Sequence, residues 1–164
     1  MLSRNLLVSL LVGTMTTQQQ GQDPVQVGGV PGIIDANQIR EADGLDAILE
    51  LVAQLRTVVF PAVILESRSS GSIQFVEGPL DTCTESIWIM DRLGRGEDEA
   101  ALYRSTHTTA VNILKALLAA AKSGNYPALD GWDWSRISYM KRYGGPDARG
   151  WEIVLTFKEN ISLV

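Results

Sequence analysis

The sequence predicts an α+β fold: a mixed or antiparallel sheet of about four strands with helices packed on one face, plus an extended N-terminal arm. Three observations carry this expectation. Gly44–Leu55 and Glu97–Lys122 repeat apolar residues at helical spacing. Thr57–Glu66, Thr84–Arg92, Trp134–Tyr143 and Trp151–Lys158 are β-branched, aromatic or alternating, as strands are. Thr14–Asp43 is dense in breakers, with Asp23-Pro24, Gly28-Gly29 and Pro31-Gly32. The division is thus residues 1–43, a helix and arm, and residues 44–164, a compact domain.

The first segment, MLSRNLLVSLLVG, has the Arg and apolar run of a secretory signal, but the run passes into TMTTQQQ without a small-residue cleavage site. It is also far shorter than the ~20 residues of a membrane span. The preferred reading is a short amphipathic helix, capped by Ser3 and ended at Gly13, with Leu2, Leu6 and Leu10 on one stripe and Leu7 and Leu11 beside it. A helix of about ten residues is unstable alone in water. It must lie on its own domain or on a neighbour, and a neighbour is the expectation, with Leu6 and Leu10 as partner contacts.

In the compact domain, Leu45, Ile48, Leu49, Val52 and Leu55 form the stripe of the next helix, with Asp46 at its positive end. Thr57–Glu66 is a strand containing Pro61, which implies an edge or a bulge because Pro cannot donate to a ladder. Ser67–Ser72 reads as a turn, Ile73–Glu77 as a short returning arm, and Gly78-Pro79 as its break. Along Thr84–Arg92, Ile87 and Ile89 share one face and Trp88 and Met90 the other.

Glu97-Asp98-Glu99 opens the long helix, whose stripe is Tyr103, His107, Ala110, Leu114, Leu117 and Ala121, widened by Val111 and Leu118. Lys122 and Gly124 close it. A loop over Asn125–Trp132 leads to two strands joined at Gly144–Gly150, with Trp151, Ile153, Leu155 and Phe157 on one face of the last.

Composition narrows the function. The 164 residues favour one domain, large enough to bury a core without staples. A net charge of −5 argues against sequence-specific nucleic-acid binding, which needs a basic face. One cysteine, Cys83, excludes an intrachain disulfide, and one histidine, His107, excludes a His-rich metal site.

No motif carries catalysis, cofactor binding or metal binding. His107 lies on an apolar stripe and reads as structural. Cys83 reads as an inert thiol, and a Cys83–His107 dyad has no orienting third group in sight. Gly144-Gly145-Pro146-Asp147 lacks the Lys-[Ser/Thr] of a phosphate loop. Glu66, Glu77, Asp81 and Asp91 read as scattered surface carboxylates. Trp88, Trp132, Trp134 and Trp151 lack a flanking basic stripe, so packing is preferred to base stacking. Arg136, Lys141, Arg142 and Arg149 make the last hairpin locally basic, which suits an acidic partner, with Arg142 and Arg149 as the candidate contacts.

Over Gly44–Phe157 the chain resembles the small tail-terminator or tail-completion proteins of long-tailed bacteriophages. The likeness rests on FPAVILE at Phe60–Glu66, TESIWIMDR at Thr84–Arg92, the long helix after it, and the closing GWEIVLTFK at Gly150–Lys158, in that order. The leading SRNLLVSLLVGTMTTQQQ is similar to virion proteins of phages of gut Bacteroides-type hosts.

The resemblance implies a structural virion protein of the tail or neck, assembled in the host cytoplasm. It would form a closed ring of itself, commonly sixfold, and contact the tail-tube protein and the head connector. It implies no cofactor, no membrane and no enzymatic activity. The long N-terminal segment departs from the pattern, which leaves head-completion and connector roles open beside the terminator role. The rival readings are a soluble or exported small binding domain and a small enzyme using Cys83 and His107.

Overall fold

The computed structural model describes residues 2–17, 21–54, 60–74 and 80–160; of residues 67–74, 80–81 and 159–160 it describes the backbone alone. The elements are α1 (Arg4–Leu11), β1 (Thr14–Thr16), β2 (Val25–Val27), β3 (Ile39–Glu41), α2 (Leu45–Ala53), β4 (Ala62–Gln74), β5 (Leu80–Arg92), α3 (Glu99–Ser123), β6 (Trp132–Tyr143) and β7 (Ala148–Asn160). The fold is α+β, with a five-stranded mixed sheet in the order β3-β4-β5-β7-β6 and a separate ribbon of β1 and β2. Among the described residues only β3 runs parallel to its neighbour, through Ile39–Glu41 against Val63–Leu65.

The pleat divides the apolar residues between two cores. Val63, Leu65, Ile87, Ile89, Ile153 and Leu155 lie on one face, under Ala110, Ile113 and Leu117 of α3 and under Leu7 and Leu11 of α1. Ile64, Trp88 and Met90 point the other way and are covered by Ile48 and Val52 of α2. The expectation of helices on a single face is therefore corrected: α2 closes the opposite one. The physical reason is the alternation itself, because strands with apolar residues at consecutive positions need cover on both sides.

The extended N-terminal arm is not confirmed: α1 packs on the core of its own chain. Ser3 accepts a hydrogen bond from Leu6 N, as a helix cap should. Leu7 and Leu11 are fully buried and Leu2 nearly so, all within the same chain. Arg4 donates from Nε to Ile39 O and from Nη2 to Ala36 O, both at 2.7 Å, while its backbone N–H reaches Glu41. Leu2 N donates to the buried Glu85 carboxylate at 2.9 Å. Burying three leucines contributes roughly 5–9 kcal/mol, which supplies what a two-turn helix lacks alone.

After α1 the chain crosses itself closely. Gly13 N donates to Ile33 O and Val30 N to Leu11 O, each at 2.8 Å. Gly29 has φ +62, and a Cβ there would stand 2.3 Å from Gly13 N, so this crossing requires glycine.

Two strand readings are also corrected. Pro61 stands before β4 rather than inside it, and β4 is an inner strand over Val63–Leu65. Ser67–Ser72 is not a turn: after a bulge between Glu66 and Ser70, residues 70–74 pair with residues 80–84 of β5. Small polar residues take an extended backbone when a long partner strand lies beside them, so pairing overrides their turn composition. The break expected at Gly78-Pro79 lies outside the described residues.

Helix α3 opens at the expected acidic run and closes at the expected glycine. Asp98, one of the three acids, caps it by accepting from Ala100 N at 3.0 Å, and Gly124 closes it with φ 69. Its buried stripe is Tyr103, Thr106, Ala110, Ile113, Leu117 and Ala120. Thr106 can be buried because its hydroxyl donates to Leu102 O at 2.8 Å. The stripe is thus turned slightly from the expected one, and His107 falls at its half-buried margin.

Candidate functional site

A cleft of about 580 Å³ lies between the first turns of α3 and the β6–β7 hairpin. Tyr103, Arg104 and His107 reach it from α3, since positions three and four apart share a helix face. Tyr139 and Lys141, two apart on β6, reach it from one side of the sheet, and Trp151 of β7 pairs in register with Lys141.

The rings form one connected group. His107 lies 4.9 Å from Trp151 and 5.3 Å from Tyr139, centroid to centroid, and Tyr139 lies 5.5 Å from Trp151. Tyr103 meets Trp151 edge-on at 6.2 Å. The Lys141 ammonium stands 4.7 Å over the Tyr103 ring, a cation–π distance. Burial, then the neighbouring Tyr143, pushes the Tyr103 phenol up to about 12.

Beyond the cleft, β6 ends the sheet. Among the described residues it pairs with β7 alone. Tyr139, Met140 and Tyr143 are 57%, 42% and 61% exposed, three of the large apolar side chains most open to water. Arg136 is also exposed, on the same strand. The cleft and the open edge together make an aromatic surface that carries Lys141, Arg104 paired with Asp98, and Arg136 paired with Asp133.

The four expected partner contacts are not brought together. Leu6 and Leu10 are half-buried against the core that α1 and α3 share. Arg142 sits on the α2 side of the sheet, where its Nε donates to Glu152 at 2.6 Å and its guanidinium lies 4.9 Å over Trp88. Arg149 pairs with Glu99, donates to Gly145 O and Ala148 O, and lies over Tyr143 at the hairpin end.

Nor do Cys83 and His107 meet. Cys83 is buried and pairs with Phe157, whereas His107 rests on Trp151, which pairs with Ile89. The two register positions are six residues apart on β5, roughly 20 Å. Among the described residues no group of three His, Cys, Asp or Glu side chains could hold a metal ion, and no described helix is long and apolar enough to cross a membrane.

Sequence reasoning put Tyr103 and His107 on one helix stripe, Lys141 in the basic hairpin and Trp151 on a strand face, did not single out Tyr139, and missed the assembly of all five. A signal was present in part. Once the hairpin is centred on Gly144–Asp147, Tyr139, Lys141 and Trp151 must share a face. That α3 lays Tyr103 and His107 over that face is a tertiary fact. The chain matches no protein-family model and no curated protein.

Proposed function

We propose that this chain is a structural virion protein that assembles into a closed ring of six subunits, caps the tail tube of a long-tailed phage and joins it to the head connector. One observation carries the assembly part of this reading. The 12-residue strand β6 leaves its outer edge open beside an aromatic cleft. Long edges with exposed apolar side chains are contact sites or aggregation hazards, and soluble chains normally blunt them. A partner that covers this one resolves the hazard. The tail-terminator resemblance supports the ring and tube as the setting.

The mechanism is geometric. Each subunit presents one contact surface and receives another, so a fixed rotation closes the ring. One ring face matches the last tube subunits. The other offers no surface for a further tube layer, and growth stops. Polymerising the tube protein with and without this chain tests the reading: tubes should become shorter and uniform, with a ring at one end in negative stain. Unchanged lengths with bare ends would overturn it.

A further inference from the structure

From the open edge of β6 and the ribbon of β1 and β2, we infer how neighbouring subunits join: the ribbon of one copy docks on the β6 edge of the next. The inference rests on the ring reading above and names the two surfaces that close it.

The apolar inventory points to this pairing. The exposed large apolar side chains of the described residues fall mainly in two groups. One is Met15, Val25 and Val27 on the ribbon; the other is Tyr139, Met140 and Tyr143 on β6. The ribbon is only three residues a side, and its strands are almost wholly exposed. A two-stranded ribbon is marginal in water even when longer. Its base, however, is rigidly held. Gln26 donates to Val30 O at 2.8 Å and accepts from Gly32 N at 3.0 Å, beside the crossing at Gly13 and Gly29. A firmly rooted ribbon with apolar side chains in water is built for a contact outside its own chain.

Position decides which contact. The ribbon's base stands at the β3 end of the sheet, where Gln38 donates to both Gly32 O and Pro61 O, just ahead of β4. Strand β6 is at the opposite edge, four strand spacings away, roughly 19 Å. Two surfaces on opposite edges of one subunit meet in a head-to-tail contact between copies, and such a contact makes rings when its rotation closes. Strand addition supplies the backbone hydrogen bonds, and the cleft beside β6 takes apolar side chains.

Charge agrees. Between Arg4 and Arg40 the chain has no Lys or Arg, and it carries Asp23 and Asp35 there. The receiving surface exposes Arg136, Arg104 and Lys141; Arg136 pairs with Asp133 at 3.5 Å and Arg104 with Asp98 at 3.4 Å, so Lys141 carries most of the charge complementarity.

The test uses the full chain with single new cysteines, since Cys83 is buried. A Val25→Cys chain and a size-tagged Tyr139→Cys chain are mixed, allowed to assemble and treated with a short bismaleimide. A covalent dimer of mixed size should form, with none from either variant alone. Dimers from one variant alone, or no dimer in preparations where light scattering shows a ring, would overturn this contact while leaving the ring reading standing. A monomer under all conditions would overturn both. Crosslinking as expected without any effect on tube length would uphold the contact and overturn only the capping role. As a second measure, Val25→Asp with Val27→Asp should abolish the ring while the circular dichroism stays that of the parent, because both positions face water. A ring that persists would overturn the assignment.

Discussion

Trp151 donates its indole N–H to the main-chain carbonyl of Tyr103 at 2.9 Å, so the last strand is tied to the first turns of the long helix. The same indole forms the floor on which His107 and Tyr139 rest. One side chain therefore sets the width of the cleft. Trp151→Phe keeps most of the ring but loses the donor. It should lower stability by about 1 kcal/mol, read as a shift in the denaturant midpoint at constant slope. His107→Ala should cost ~0.5–3 kcal/mol through lost ring packing.

The N-terminal helix belongs to the core, and its removal should show it. Leu7 is fully buried between α1 and the main core. Leu7→Ala should destabilise by ~2–5 kcal/mol. A chain beginning at Thr14 should lose its cooperative thermal transition. A folded monomer with the parent's melting curve would show that α1 is dispensable.

Tyr103 should mark the alkaline limit of the fold. Its phenol stands at about 12 in the folded chain against an ordinary 10, through burial first. The raised value means that the folded state holds the proton more tightly. The associated stability is fully present below pH 10 and is lost as pH rises toward 12. Ultraviolet titration should show the highest phenolate transition in the parent and its absence in Tyr103→Phe, which should also lose less stability over that range.

Arg142 should prove a structural residue, whatever a partner does. Glu152 is 5% exposed and holds this guanidinium, which also covers Trp88. Arg142→Met leaves a buried carboxylate without its cation and should cost ~1–3 kcal/mol. Glu152→Gln together with Arg142→Met should recover part of that loss, because no buried charge remains. Chemical denaturation of the two single variants and the pair checks this. Charge reversal at Arg142 would unsettle the fold, so Arg136 is the better position for probing an acidic neighbour.

Local chemistry was enough for some of this molecule. The cap at Asp98, the apolar spacing through Leu117 and the closing Gly124 all lie within one helix, and they define α3 without help from elsewhere. The alternation of Ile87 and Ile89 against Trp88 and Met90 likewise assigns two faces to β5. The closing hairpin is legible for the same reason: its turn residues and its two strands are neighbours in sequence. Tertiary structure decided the rest. Ser70–Gln74 is a strand because β5 runs alongside it, β3 exists because β4 offers it three partners, and α1 is core because α3 covers it. Each depends on residues far away in the chain, and a short apolar helix or a run of serines carries no mark of who its neighbour is. The cleft divides in the same way: β6 and β7 place Tyr139, Lys141 and Trp151 by pleat and register, but only the packing of α3 brings His107 and Tyr103 to them.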